Sequence, residues 1–236
     1  MNTINKDKQL ILAVTREQLF GCFLQYNFNG FVREELFIRQ MHNLIFYHNN
    51  PKGLNDLFLE RGPLELDVYR KQIIPYVVVG SKKNGTFLSY VRPSKGNEER
   101  LHGKISIGFG GHIETQDAVN GHGFYDAILA CAKREIKEEL SLWTDGMKFE
   151  TLGFINDDSN AVGQVHFGVV LYLDISEDSA LKPTTMDILK MLASNQEVSG
   201  LNFRSLEDLQ KTPEGYEYET WSKHVINALP YIDFKE

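Results

Sequence analysis

The chain has 236 residues, 42% of them hydrophobic and 24% charged, enough for one large soluble domain or a domain with a substantial extension. Its formal net charge of −7 excludes broad electrostatic attraction to a nucleic-acid polymer, although local basic groups or a metal can still hold a small anion. The longest apolar runs, such as Ile73 to Val79, are far too short to span a membrane, and the N-terminus lacks a signal peptide's apolar region, so a cytoplasmic protein with no membrane association is expected.

Residues 1–70 read as a region of their own. Leu10 to Val14 is a strand candidate, and Thr15 with Gln18 forms a capping-box pattern opening a helix to about Tyr26. A second helical pattern runs from about Arg33 to Tyr47 and stops at Asn49-Asn50-Pro51. The region is therefore expected to be mainly helical. It is rich in aromatic side chains (Phe20, Phe23, Tyr26, Phe28, Phe31, Phe37), which fit either a small core of its own or a homodimer surface.

From Gln72 the pattern changes to strands. Ile73 to Val79 is a β-branched run, Lys82-Lys83-Asn84-Gly85 a hairpin turn, and Thr86 to Val91 the returning strand. A basic loop from Arg92 to Lys104 follows. Ile105, Ile107 and Phe109 alternate as a strand, which ends in Gly110-Gly111-His112. Paired glycines permit backbone conformations closed to other residues and let a ligand approach closely. A polar loop, Thr115 to Gly123, leads to a long apolar-periodic segment from Asp126 to Leu142, with Ile128, Leu129, Ala132, Ile136 and Leu140 at helical spacing.

That helix carries Arg134-Glu135-Ile136-Lys137-Glu138-Glu139. Glu135 precedes Glu138 and Glu139 by three and four residues, so the three carboxylates share one face beside the apolar stripe. Like charges at this spacing repel by a few tenths of a kcal/mol per pair. A divalent cation would offset the repulsion, since hard cations take oxygen ligands. By itself the run would also serve as a solvated helix face.

After the helix come a strand from Phe149 to Ile155, a turn at Asp157 to Asn160, and a strand from Val165 to Ile175 buried on both faces. A short helix over Asp187 to Ser194 is expected next. A brief edge strand around Asn202 to Arg204, a capped turn at Ser205 to Leu209, and an amphipathic helix from Glu219 to Leu229 complete the chain. Cys22 and Cys131 show no metal-ligand spacing and read as small buried hydrophobes in a reducing compartment.

Strand, glycine pair and helix with R-E-U-x-E-E (U apolar) resemble the Nudix hydrolase family, whose box is G-x5-E-x7-R-E-U-x-E-E-x-G-U. Arg134, Glu135, Ile136, Glu138, Glu139 and Leu142 match its second half, and Gly110 and Gly111 resemble the glycines that open it. Three departures stand out: about ten extra residues between glycines and helix, Asp126 where the box has an isolated Glu, and Ser141 where it has a Gly. Lys71 to Tyr76, Glu99 to Lys104 and Ile107 to Ile113 further resemble a group of bacterial proteins described as predicted Nudix phosphoesterases, which carry a similar N-terminal extension.

The resemblance implies an α/β fold, a Nudix-type α/β/α sandwich with a mixed sheet over residues 71–236, after the extension of residues 1–70. It implies hydrolysis of a phosphoanhydride in a small nucleoside-diphosphate-linked molecule, with water attacking phosphorus. Mg²⁺ or Mn²⁺ would be held by Glu135, Glu138 and Glu139, and Arg134 would aim one of them. Arg92, Gly110, Gly111 and His112 are the expected substrate contacts. The base is either a helix glutamate or Glu197, in the loop before the last strand. A nucleotide-sensing module that binds without cleavage is the alternative reading. An isoprenoid-diphosphate isomerase is a third, but it needs an acid/base cysteine that neither Cys22 nor Cys131 is placed to supply.

Overall fold

A computed structural model describes residues 6–33, 37, 54–93, 101–118, 123–142, 146, 148–175 and 199–234. The fold is mixed α/β with a large mixed sheet. Its contacts divide it into two compact units, one of residues 1–75, 110–132 and 153–170, the other of residues 76–109, 133–152 and 171–236.

In the first unit, β1 (Leu10–Thr15) pairs antiparallel with β3 (Phe58–Glu60) through its first half and with the start of β4 (Arg70–Ser81) through its second. Thr15 caps α1 (Arg16–Phe20) in the expected capping box with Gln18, but the helix stops at Gly21, whose φ of 78° is open to glycine alone at low cost. Cys22 therefore lies in an exposed turn and not in a core, contrary to the sequence reading. β2 (Gly30–Arg33) pairs with the end of β8 (Phe149–Asn156). α2 (Arg61–Leu64) follows β3 directly. The described part of the extension thus holds three strands beside its short helices, and the helix expected over 33–47 falls almost wholly outside the described residues.

The extension's aromatic residues do not make a separate core. Phe20, Phe28 and Phe37 pack edge-on with one another, Phe20 and Phe28 edge-on against Phe167, and Phe37 tilted against Phe154 and Phe167, with ring centroids 5.2–6.1 Å apart. Phe167 is the second residue of β9 (His166–Asp174), which is buried along nearly its whole length. Phe23 lies fully exposed.

In the second unit, the end of β4 pairs with β5 (Thr86–Val91) across the expected hairpin, with Gly85 at φ 61° in the turn. β10 (Ser199–Ser205) pairs with β5 on its other side. The strand expected from Ile105 to Phe109 is two short ones: β6 (Ile105–Ser106) on β5 and β7 (Gly108–Phe109) on β4. α5 (Leu206–Gln210) is capped by Ser205, and α6 (Thr220–Ala228) buries Val225 and Ile226. The helix expected over 187–194 and the candidate base Glu197 lie outside the described residues. No helix among the described residues is long and apolar enough to cross a membrane.

Candidate active site

The central helix, α3, spans Phe124–Leu140. At its start Asp126 accepts a hydrogen bond from the Gly123 amide at 3.1 Å, so the acid that replaces the family's isolated glutamate satisfies a helix N-terminus. The apolar stripe runs through Ala127, Ile128, Cys131, Ala132, Ile136 and Leu140, while Leu129 is only half-buried. The helix ends at Leu140 because Ser141 takes φ 52°, the left-handed conformation in which a glycine commonly terminates a helix.

The second half of α3 belongs to the second unit and carries the acidic face. Its three carboxylates differ in exposure: Glu139 is buried at 8%, the Glu135 side chain is 12% exposed and that of Glu138 58%. Arg134 Nη1 holds Glu135 at 2.5 Å and Glu138 at 3.4 Å. One guanidinium thus fixes two of the three acids, the arrangement by which an outer group orients a ligating one. A graded set of three carboxylates fits a hard divalent cation, which takes one or two carboxylates and keeps several waters.

The same unit contains a further acid, on another helix, that the sequence does not single out. Glu219, at the N-cap of α6, is 3% exposed. Its Oε2 accepts from Arg92 Nε at 2.8 Å, and its Oε1 lies 2.9 Å from the Tyr76 hydroxyl, 2.7 Å from Ser106 Oγ and 3.2 Å from Ser222 Oγ. Burial would lower the proton affinity of Arg92, but the negative charges of Glu219 and Glu139 act against it and the balance is raised, so Arg92 stays a fixed cation in the field of Glu139. Its guanidinium also lies over the Tyr90 ring, 5.7 Å from the centroid. Burial, reinforced by Glu219, likewise pushes the Tyr76 hydroxyl well up, so it remains a donor. The signal available in the sequence was a glutamate within Tyr218-Glu219-Thr220-Trp221, at a cap position where Ser, Thr, Asp and Asn are preferred.

In the first unit, the glycine loop is held from two sides. Gly110 adopts φ 155°, which side-chain-bearing residues rarely reach. Cys131 Sγ, on the first half of α3, donates toward the Gly111 carbonyl at 3.7 Å and the His112 carbonyl at 3.4 Å. Just beyond, Leu12 of β1 donates to the Ile113 carbonyl at 2.9 Å, and Ile11 bridges Glu114. The extension therefore supports the loop that follows the glycines. The His112 ring is engaged: its Nε2 is 2.7 Å from Gln72 Oε1 and 3.2 Å from Nε2 of His166.

No family model matches the chain. Protein YmaB of Bacillus subtilis (strain 168) is 35% identical over 173 residues, covering 72% of this chain and 77% of YmaB. The crystal structure of Tm1382, assigned to the Nudix hydrolases, superposes with a TM-score of 0.60 at 25% identity, over 94% of this chain and 98% of Tm1382. The chain belongs to the Nudix family. It has the Nudix fold. Nudix hydrolases generally use divalent metal ions.

Of the residues the sequence singled out, Arg134, Glu135, Glu138 and Glu139 lie on one helix, with Arg92 electrostatically coupled to Glu139. Gly110, Gly111 and His112 lie together in the loop braced by Cys131.

Proposed function

We propose that this Nudix chain is a metal-dependent hydrolase that cleaves a phosphoanhydride in a nucleoside-diphosphate-linked or related small molecule, with water attacking phosphorus. The observation that carries the reading is the face of Glu135, Glu138 and Glu139, two of them held by Arg134 and the third in the field of Arg92. A diphosphate and three carboxylates repel one another, so this face suits the reaction only with a cation between them. Glu135, Glu138 and Glu139 would hold Mg²⁺ or Mn²⁺, which when bound neutralises phosphate oxygens and lowers the pKa of a coordinated water.

The chain's own groups have separate tasks. Arg134 keeps Glu135 and Glu138 aimed. Arg92, anchored through Nε by Glu219, presents a permanent cation suited to a phosphate oxygen. The backbone of Gly110, Gly111 and His112 offers a surface that a phosphate can approach without a side chain in the way. The base is a helix glutamate or Glu197, either of which would take a proton from the attacking water.

The test is turnover of a panel of dinucleotides, nucleotide sugars and nucleoside triphosphates with Mg²⁺. Product should form only with the metal, and Glu139→Gln should lower kcat by about two orders of magnitude or more. Turnover indifferent to Glu139→Gln would overturn the assignment of the site. Binding of a panel member with no turnover would favour the nucleotide-sensing alternative.

A further inference from the structure

The first unit contains a cluster of side chains to which the proposed hydrolysis gives no task, although it uses the backbone of one of them, His112. Glu65, His112 and His166 bring one carboxylate oxygen and two imidazole nitrogens within 4.8 Å of one another. None of the three lies on α3. Glu65 terminates α2, His112 follows the glycine pair, and His166 opens β9, so three separate elements converge on this point. We propose that Glu65, His112 and His166 form a binding site for a zinc-class divalent cation.

Hydrogen-bond chemistry supports the assignment. His166 Nδ1 is 2.7 Å from the carbonyl of Val162. A carbonyl only accepts, so Nδ1 carries a proton, which leaves Nε2 as the nitrogen that can offer a lone pair to a metal. That Nε2 faces His112 Nε2 at 3.2 Å, and Gln72 Oε1 sits 2.7 Å from the same His112 atom. With both rings neutral, His166 Nε2, His112 Nε2 and Gln72 Oε1 bring lone pairs to one point. A cation satisfies all of them at once. The 3.2 Å separation also matches the edge of a tetrahedron, about 3.3 Å for metal–nitrogen bonds of about 2.0–2.1 Å.

The surroundings fit the same reading. Metal-bound histidines regularly donate their other ring N–H to a backbone carbonyl, as His166 does to Val162. α4 (Ala161–Val165), capped by Asn160, fixes that carbonyl. Glu65 is steadied by Arg61 Nε at 3.1 Å, which engages Oε1. The Gln72 amide turns its oxygen toward the imidazole although its buried nitrogen has no hydrogen-bond partner among the described residues. His166 is 5% exposed and the Glu65 side chain 26%, so the cluster is enclosed at one end and open to an entering ion at the other. Two imidazoles with one carboxylate select zinc and its first-row neighbours over Mg²⁺, which prefers oxygen. The ion would tie the extension, through Glu65, to the glycine loop and β9.

The test uses the full-length chain stripped of metal by a chelator and titrated with Co²⁺ alone. One Co²⁺ per chain should bind with the strong visible absorption of a four-coordinate ion, and Zn²⁺ should displace it. Glu65→Gln and His112→Gln should each weaken this binding at least tenfold, while Glu139→Gln leaves the band in place. Circular dichroism of the metal-free variants establishes that they fold. If His166→Gln does not, the two more exposed ligands carry the test. Absence of a four-coordinate band in the wild type would overturn the site, as would a band untouched by Glu65→Gln and His112→Gln. Loss of the band in Glu139→Gln alone would move the ion to α3.

Discussion

Lys71 buries its ammonium against the carboxylate of Asp158, with Nζ 2.8 Å from Oδ1 and 2.6 Å from the carbonyl of Gly163. Lys71 is fully buried, and desolvation lowers its pKa from 10.5 to about 8 despite the Asp158 contact. Asp158 is better solvated and also grips Arg16 with both oxygens, at 2.6 and 2.9 Å. Burial alone would raise its pKa, but the hydrogen bonds from Arg16 and Lys71 hold it at about 2.

The buried lysine makes stability depend on pH in an unusual window. Folded Lys71 releases its proton near pH 8 and the unfolded chain near 10.5, so between these values the unfolded state holds more protons. Rising pH therefore favours the folded state, by roughly 2 kcal/mol between pH 7.5 and 9.5. Urea unfolding across that range should show the rise, and Lys71→Met should remove it. Parallel curves for the two proteins would refute the assignment.

Ser141 pays for ending α3 without a glycine. At φ 52° its Cβ crowds the following carbonyl, a strain of roughly 1–2 kcal/mol. Ser141 is exposed, so a substitution there disturbs little packing. Ser141→Gly should raise the unfolding free energy by about 1 kcal/mol, less the added freedom of glycine in the unfolded chain. Ser141→Val should lower it. An unchanged urea midpoint for both would mean that the helix end relaxes at no cost.

Much of this was legible in the sequence. Strands β4, β5, β8 and β9 and helix α3 announce themselves by period and by β-branched or alternating runs, and the capping pair Thr15 and Gln18 is found where it was read. The carboxylate face of α3 follows from spacing alone. What was not legible depends on partners distant in the chain. Glu219 lies 127 positions from Arg92, and His112 lies 54 from His166, so no local pattern marks either pair. The extension misled for a related reason. Its aromatic residues look self-sufficient in sequence, yet Phe20, Phe28 and Phe37 pack on Phe154 and Phe167.

Gly108 is required by a ring. A Cβ at this position would lie 2.0 Å from Tyr76 Cζ, and both Cε atoms would be within 2.3 Å, well inside van der Waals contact. Gly108→Ala should therefore destabilise by about 3 kcal/mol, at the upper end for overpacking a core. Tyr76→Phe keeps the clashing carbons and should give no relief, whereas Tyr76→Leu should recover part of the loss in a double-mutant cycle. Additive effects of Gly108→Ala and Tyr76→Leu would show that the clash is not the cause.

Glu219 concentrates more hydrogen bonds than any neutral substitute can accept. Arg92, Tyr76, Ser106 and Ser222 all approach its two oxygens, and the side chain is almost wholly enclosed. Glu219→Gln preserves shape but turns one oxygen into an NH₂ group, which would face donors, and leaves Arg92 without its counter-charge. Breaking such a pair should cost about 2–4 kcal/mol in urea unfolding. Tyr76→Phe removes one donor and leaves the acid paired, so its cost should be nearer 1 kcal/mol. The charge itself has a separate readout. Burial is the first cause of the raised Tyr76 pKa and Glu219 the second, so in Glu219→Gln the hydroxyl should ionise at lower pH than in the wild type, followed by ultraviolet titration against Tyr76→Phe. A tyrosine titration that does not move would show that Glu219 acts on Tyr76 through shape and not through charge.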